Sequence, residues 1–216
     1  MVRAVIFDMD GLLLDTEKLL VKFWCEAAKE SGFDMTREIA LNIRSMHRSF
    51  AIPYLKDALG EDFDYPKIRS RRMELMNDHI KKHEVELKTG AKALLTYLNS
   101  NNIPAAVATA TDYERAENYL KMTGIFDFFD KIICATMVKR GKPMPDIYLY
   151  AAEQLDLDPS ECVALEDSPN GVMSASSAGI RTIMVPDLTE PDEKISRIIA
   201  AKANSLEDVI EIIKNF

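Results

Sequence analysis

The sequence has few cysteines, fewer basic than acidic residues and no long apolar run. Each of these features excludes a class of protein. Its 216 residues include three cysteines, none in a Cys-x-x-Cys spacing. We therefore expect Cys25, Cys134 and Cys162 to be free thiols rather than disulfide partners or metal ligands. No segment approaches the roughly 18 consecutive apolar residues that a membrane span needs. The first residues lead directly into a strand pattern without a signal-type apolar stretch, so we expect a cytoplasmic protein.

The charge balance is acidic, with 27 Lys and Arg against 35 Asp and Glu and a net charge of −8 at pH 7. Binding to nucleic acid or to anionic membranes depends on basic patches, so we expect neither as a partner. A length of 216 residues permits one large domain, or a core with a small companion. We expect a monomer that acts on a small molecule.

Strand-like and helical stretches alternate from about residue 88 to the end of the sequence. This alternation predicts an α/β fold, a doubly wound parallel sheet with helices on both faces. The expected strands are residues 103–108, 131–134, 161–165 and 180–185, after a first strand at residues 5–7. The expected helices are 91–101, 112–122, 146–155, 169–178 and 205–214.

Residues 16–83 have helical periodicity and almost no strand signal, as in the apolar spacing of Leu19, Phe23 and Trp24. We therefore predict a small all-helical cap domain (16–83) inserted after the first strand of a core formed by residues 1–15 and 84–216. The predicted cap holds 13 basic and 11 acidic residues, so it is less acidic than the core. This charge either suits an anionic substrate held between the two domains or is ordinary surface charge.

Two acidic clusters follow short apolar runs. Asp8 and Asp10 come after Val-Ile-Phe, and Glu166 and Asp167 come after Val-Ala-Leu. Open α/β sheets bind ligands at the carboxyl ends of their strands, so we expect these side chains to lie together there. Neighbouring carboxylates repel one another unless a hard divalent cation compensates their charge. The sequence therefore predicts a magnesium site.

Four segments resemble, in order, the motifs of the haloacid dehalogenase superfamily, in its phosphatase and β-phosphoglucomutase-like branch. Four ordered motifs together are a specific signal. The resemblance implies a Rossmann-like hydrolase core with a helical cap. The segments are residues 8–17 (DMDGLLLDTE), 107–111 (VATAT), 141–146 (GKPMPD) and 165–171 (LEDSPNG).

The resemblance also implies roles for the acidic residues. Asp8 would be the nucleophile that forms an aspartyl-phosphate, and Asp10 would be the general acid and base. The predicted ligands of Mg²⁺ are Asp8, the carbonyl of Asp10 and Asp167, with Glu166 nearby. Each role agrees with the chemistry of carboxylates toward phosphoryl groups and hard metals.

The other implied site residues bind the substrate. Thr109, with Ala110 beside it, would hold a phosphoryl oxygen, and Lys142 would offset the negative charge of Asp8 and the phosphate. Arg48 matches a cap arginine that contacts the distal phosphate in the mutases. Simpler interpretations stay open for each: Thr109 as a helix cap, Lys142 as a loop lysine and Arg48 as a surface arginine.

Together these features predict an enzyme, a magnesium-dependent phosphatase of a small phosphorylated metabolite such as a sugar phosphate. The alternative is a phosphomutase similar to β-phosphoglucomutase. Mutases of that type carry a histidine in the first cap helix, where this sequence has Leu20. A non-catalytic protein that retains the fold is a further alternative, because a fold alone does not establish activity.

Overall fold

Six parallel β-strands form the central sheet of the computed structural model, which describes residues 2–216. The strands are β1 (Ala4–Phe7), β2 (Ala105–Thr109), β3 (Lys131–Cys134), β4 (Cys162–Glu166), β5 (Arg181–Met184) and β6 (Ala201–Lys202). They lie in the order β3-β2-β1-β4-β5-β6, and every neighbouring pair is parallel. The predicted open parallel sheet is confirmed.

Ten α-helices accompany the sheet within residues 2–216. Five of them, α1–α5, lie between β1 and β2 in the sequence, and the others follow β2. The helices are α1 (Glu17–Glu30), α2 (Arg37–Asn42), α3 (Arg48–Leu59), α4 (Tyr65–Ile80), α5 (Ala91–Ser100), α6 (Tyr113–Met122), α7 (Asp146–Gln154), α8 (Pro169–Ser177), α9 (Glu193–Ser196) and α10 (Asp208–Lys214).

Both faces of the sheet are covered, because successive residues of each strand point to opposite sides. In β1, Val5 and Phe7 belong to an apolar layer shared with α5, α6 and α10. Ala4 and Ile6 belong to a second layer, shared with α7 and α8. All four side chains are fully buried. The doubly wound α/β class predicted from the alternation of strands and helices is therefore confirmed.

The position of β1 determines where a ligand can bind. Phe7, the last residue of β1, pairs with Val107 of β2 on one side and Leu165 of β4 on the other. After β1 the chain forms β2 and β3 on one side of β1, and it then returns to form β4 on the other side. This reversal of direction creates a crevice at the carboxyl ends of β1, β2 and β4. The polar residues that follow β1, β2 and β4 consequently meet at one edge of the sheet.

Helices α1–α4 have an apolar cluster of their own, which includes Trp24, Leu55, Phe63 and Ile68. Phe23 of α1 and Met76 and Ile80 of α4 instead pack into the core of the sheet. We propose that α1–α4 form the cap domain, within residues 16–83, and that the rest of the chain forms the core.

From residue 88 onward, the predicted element boundaries agree with the observed ones to within about three residues, and one strand and one α-helix were missed there. The short elements β6 and α9 span only two and four residues, too few to show a periodicity in sequence. The three cysteines are free thiols, as predicted. Within residues 2–216, no helix is long and apolar enough to cross a membrane.

We predict that Leu55→Ala destabilises the protein by about 2–5 kcal/mol, because it leaves a cavity in the fully buried cluster of α1–α4. Urea denaturation measures this loss. Hydrogen exchange should accelerate mainly in α1–α4 if they form a separate domain. An equal acceleration in the strands would contradict the proposed division. Leu149→Ala, at an exposed position of α7, is the control and should change stability by less than about 0.5 kcal/mol.

Candidate active site

Four predicted site residues lie at the ends of three neighbouring strands. Asp8 directly follows β1, Thr109 ends β2, Glu166 ends β4 and Asp167 directly follows it. Each of the four is at most 1% exposed. Charged groups are rarely buried to this degree unless they are paired or bind a cation. The structure therefore brings the two acidic clusters of the sequence together.

Asp8, Glu166 and Asp167 form a compact acidic cluster, with one carboxylate oxygen of each within 4.8 Å of the others. Two buried oxygens, Asp8 Oδ2 and Asp167 Oδ1, have no hydrogen-bond partner among residues 2–216. Burial raises the pKa of Asp8 to about 8, although Lys142 opposes the shift. Burial, together with the charges of Asp8 and Glu166, also raises the pKa of Asp167 well above its usual value. Two unpaired hard oxygens in an acidic cluster fit a divalent cation.

Lys142 binds two carboxylates of the acidic cluster, those of Asp8 and Glu166. Its Nζ donates hydrogen bonds to Asp8 Oδ1 at 2.5 Å and to Glu166 Oε1 at 2.6 Å, and its side chain is 1% exposed. Burial alone would lower the pKa of Lys142, but the two carboxylates outweigh it and raise the pKa above its usual value. The lysine is therefore a permanent cation next to Asp8.

Glu166 has hydrogen-bond donors at both of its oxygens. The Tyr148 hydroxyl joins Lys142 at Oε1, with an O···O distance of 2.7 Å. The backbone N–H of Asp167 and the Ser168 hydroxyl donate to Oε2, at 3.2 and 3.4 Å. A carboxylate occupied in this way orients its neighbours, so the geometry of Glu166 suits the positioning of Lys142 better than direct metal ligation.

Asp10 is held from both sides. Its Oδ1 accepts a hydrogen bond from the Thr16 hydroxyl at 2.6 Å, and its Oδ2 accepts one from the Thr111 hydroxyl at 2.8 Å. Gly11 follows with φ +90°, and a Cβ there would lie 2.5 Å from Asp167 Oδ2. Only glycine permits both this backbone conformation and this close approach. The turn after β1 thus places Asp10 beside the acidic cluster.

Thr109, the last residue of β2, and Ala110, which follows it, line a cavity between the sheet edge and helices α1–α4. The Thr109 hydroxyl oxygen accepts a hydrogen bond from the backbone N–H of Thr111 at 3.0 Å. Its hydroxyl hydrogen is therefore available to a ligand oxygen. Thr109 does not cap α6, which begins at Tyr113 after the N-cap residue Asp112.

Arg44, which the sequence analysis did not single out, reaches the acidic cluster from the helical segment. Its Nη1 lies 3.2 Å from Asp167 Oδ2, and both side chains are at most 2% exposed. The side-chain amide of Asn170 donates to the backbone oxygens of Asn42 and Arg44 and so fixes the loop after α2. Arg48, the predicted substrate contact, is instead exposed at the first residue of α3 and does not line the cavity. No signal in the sequence distinguishes these two arginines.

A cavity of about 100 Å³ lies between the sheet edge and helices α1–α4. The acidic side chains of Asp8, Asp10 and Glu17 line it, together with four arginines. Leu20, at the position where the mutases carry histidine, is also part of the lining. A cavity with carboxylates at the strand ends and cations around them has the composition of a binding site for a phosphorylated molecule.

Comparison with known protein families shows which family the chain belongs to. Residues 5–185 match the model of a family described as haloacid dehalogenase-like hydrolase. The chain belongs to this hydrolase family. A phosphorylated carbohydrates phosphatase of Thermotoga maritima is 33% identical over 186 residues, covering 84% of this chain and 83% of the relative. The β-phosphoglucomutase of Bacillus subtilis is 28% identical over 191 residues, covering 85% and 83%.

Solved structures agree with this assignment. The crystal structure of CbbY from Rhodobacter sphaeroides in complex with phosphate has a TM-score of 0.80 and 28% sequence identity, and the match covers 97% of this chain and 96% of that chain. The predicted family, a haloacid dehalogenase-like hydrolase of the phosphatase and phosphomutase branch, is confirmed. The predicted enzyme class, a phosphoric monoester hydrolase, is confirmed as well.

We predict that Gly171→Ala disrupts the site from a position outside the lining of the cavity. A Cβ at Gly171 would lie 1.9 Å from the side-chain carboxyl carbon of Glu166, so Glu166 would have to move away from Lys142. We expect a loss of about 1–3 kcal/mol in the free energy of unfolding and about a 100-fold loss of hydrolytic rate. Denaturation and rate measurements test both. Ser177→Ala, at the exposed end of α8, is the control; unchanged activity of Gly171→Ala would contradict the positioning role of Glu166.

Proposed function

We propose that this hydrolase is a magnesium-dependent phosphatase of small phosphorylated carbohydrates and that it acts through an aspartyl-phosphate on Asp8. The buried arrangement of Asp8, Lys142 and Asp10 at one strand end carries this proposal. The name of the Thermotoga relative supports a phosphorylated carbohydrate as the substrate class.

Asp8 has the properties of a nucleophile toward phosphorus. Lys142 holds Oδ1, whereas Oδ2 has no hydrogen-bond partner in residues 2–216. Attack by a carboxylate oxygen forms the Asp8 O–P bond and breaks the P–O bond to the carbohydrate oxygen, which leaves with the electron pair. Burial favours the protonated form of Asp8, and the charges of Lys142 and of bound Mg²⁺ would oppose it and favour the carboxylate. Lys142 also lowers the repulsion between the carboxylate and the phosphoryl group.

Asp10 transfers the protons in both halves of the reaction. When protonated, it donates a proton to the leaving carbohydrate oxygen. As a carboxylate, it then takes a proton from the water that attacks the aspartyl-phosphate and releases inorganic phosphate. The hydroxyls of Thr16 and Thr111 hold both of its oxygens and so maintain its orientation.

The remaining predicted residues stabilise charge. The hydroxyl hydrogen of Thr109 and the backbone N–H of Ala110 are suited to phosphoryl oxygens. Asp8, Asp167 and the backbone carbonyl of Asp10 would hold Mg²⁺, which supplies compensation for the negative charge of the phosphoryl group. Glu166 would act by holding Lys142 in place.

A phosphomutase is the second candidate, since the Bacillus relative is named a β-phosphoglucomutase. A mutase must protect its aspartyl-phosphate from water while a bisphosphate intermediate reorients, which requires polar groups on the cap. Leu20 gives the cavity an apolar side chain at the matching position. We therefore favour hydrolysis. We also retain the predictions of a monomer and of a cytoplasmic location.

We predict that Asp8→Asn abolishes turnover while the fold is retained, because an amide is nearly isosteric but cannot act as an anionic nucleophile. The expected loss is on the order of 10⁴-fold or more in the release of inorganic phosphate from sugar monophosphates. Circular dichroism verifies folding, and Asp57→Asn, at an exposed position of α3, is the matched control.

The same assay separates the two candidate functions. With wild-type protein, β-glucose 1-phosphate and a bisphosphate activator, we expect release of inorganic phosphate and little glucose 6-phosphate. Efficient isomerisation with negligible phosphate release would favour the mutase. Normal turnover by Asp8→Asn would refute the assignment of Asp8 as the nucleophile.

We predict that Mg²⁺ raises the melting temperature of the wild-type protein, because a cation that binds only the folded state stabilises it. The gain is about 2.7 kcal/mol when the free ion is at 100 times its dissociation constant. Asp167→Asn should greatly reduce this gain, whereas the control Asp57→Asn should retain it. A chelator should stop phosphate release by the wild type. Full activity in excess chelator, or an unchanged Mg²⁺ response in Asp167→Asn, would contradict the proposed metal site.

A further inference from the structure

Arg72 of α4 is a buried cation without a protein partner. The residue is 7% exposed, its Nε has no hydrogen-bond partner, and no ion pair among residues 2–216 includes it. Its guanidinium carbon lies 5.2 Å from the centre of the Trp24 ring, an interaction that offsets only part of the lost hydration. Burial lowers the pKa of Arg72 to about 10, with Arg115 and Arg69 adding to the effect. The side chain nevertheless stays protonated at neutral pH.

Two further arginines line the same cavity from opposite sides. Arg69 lies one turn before Arg72 on α4, and Arg115 lies on α6 of the core. Both approach the same carboxylate, Asp112, with N···O distances of 3.9 Å for Arg69 and 3.4 Å for Arg115. Arg69 and Arg115 therefore share one carboxylate while Arg72 has no ion pair, and positive charge remains in excess on this side of the cavity.

The other arginine of the cavity differs from these three. Arg44 is paired with Asp167 at the acidic cluster, so its charge is already compensated. Arg72 forms no ion pair with a carboxylate of residues 2–216, although it lines the same cavity as Asp8 and Thr109. A molecule with its phosphoryl group at Asp8 would extend from the strand ends toward helix α4. An anionic group at its far end would supply the counter-charge that Arg72 lacks.

We propose that Arg72, together with Arg69 and Arg115, forms a subsite for a second anionic group of the substrate. The preferred substrates would then be phosphate monoesters of a carbohydrate that carry a second phosphate or a carboxylate. This inference rests on the proposed phosphatase function. The guanidinium fork matches both anions, because each offers two oxygens in one plane for paired hydrogen bonds.

Pairs of substrates that differ at only one end test the subsite. The carboxylates 6-phosphogluconate and 3-phosphoglycerate are compared with glucitol 6-phosphate and glycerol 3-phosphate, which carry a hydroxymethyl group instead. Fructose 1,6-bisphosphate is compared with fructose 6-phosphate. We expect kcat/KM to be about 10- to 100-fold higher for the anionic member of at least one pair, as charge-assisted hydrogen bonds imply. Preference for a carboxylate or for a phosphate tells which anion the subsite binds.

Variants of α4 assign the preference to Arg72. Arg72→Met keeps the approximate volume and removes the charge, so the ratio of kcat/KM within the preferred pair should fall toward one. Arg72→Lys keeps the charge without the fork and should retain part of the ratio. Arg71→Met makes the same change at the adjacent position, where the side chain is partly exposed and paired with Glu30 and Glu74, and should leave the ratio unchanged.

Binding measurements keep this inference separate from the proposed function. Calorimetry with Asp8→Asn should give at least tenfold tighter binding of the anionic member of the preferred pair, and Arg72→Met in that background should remove the difference. If no phosphate is released from any substrate but this binding difference is found, the phosphatase proposal fails and the subsite stands. Equal rates and equal affinities within all three pairs would overturn the subsite, as would a ratio that Arg72→Met leaves intact.

Discussion

The hydrogen bonds of Lys142 with Asp8 and Glu166 are the constraint on which the site depends. Three ionisable side chains, each at most 1% exposed, are held at strand ends where the lysine provides the nearest compensating charge. Removing one partner of such a buried group costs more than the remaining contacts supply, because the other charge is left unpaired in a medium of low polarity. Neighbouring residues stabilise this arrangement. The Tyr148 hydroxyl donates a hydrogen bond to Glu166, and Gly171, which has no side chain, leaves the space that Glu166 occupies.

The helical segment is part of the site. Arg44 contacts Asp167 directly, Asn170 binds the loop that carries Arg44, and the backbone N–H of His47 donates to the carbonyl oxygen of Lys142 at 2.8 Å. The loops of the third and fourth motifs therefore bind the same short stretch of the helical segment, residues 42–47. A movement of this segment relative to the sheet would change the charge next to Asp167, because Arg44 would move with it. Phosphoryl transfer depends chiefly on positioning and charge, so such a movement would affect the chemistry directly.

Charge divides the cavity into two regions. The strand ends contribute carboxylates, which suit a cation and a phosphoryl group, whereas α4 and α6 contribute Arg69, Arg72 and Arg115. Only part of this positive charge is compensated by Asp112. From the sequence, the weakly basic composition of residues 16–83 had two interpretations, complementarity to an anionic substrate or ordinary surface charge. The arginines that line the cavity show that some of this charge faces the site, although most basic residues of the segment lie elsewhere.

Much of the fold and the centre of the site could be predicted from the sequence. The buried strands appear as short apolar runs, and the acidic residues after them mark the carboxyl ends of β1 and β4. Strand order and the two-residue strand β6 could not be predicted, because pairing between distant segments leaves no local periodicity. The hydrogen bonds at both oxygens of Glu166 could not be predicted for a similar reason, since they depend on Tyr148 and Ser168 reaching it in space.

The sequence by itself determined the α/β class, the helical insertion and the meeting of Asp8, Asp10 and Asp167 at one sheet edge. These properties follow from the periodicity of apolar residues and from the position of polar residues directly after strands. Tertiary structure alone decided which arginines of the helical insertion face the cavity. Arg44 and Arg48 are four residues apart, yet one is buried against Asp167 and the other is exposed. The path of the loop after α2, anchored by Asn170 more than 100 residues away, makes that choice, and no pattern within the loop records it.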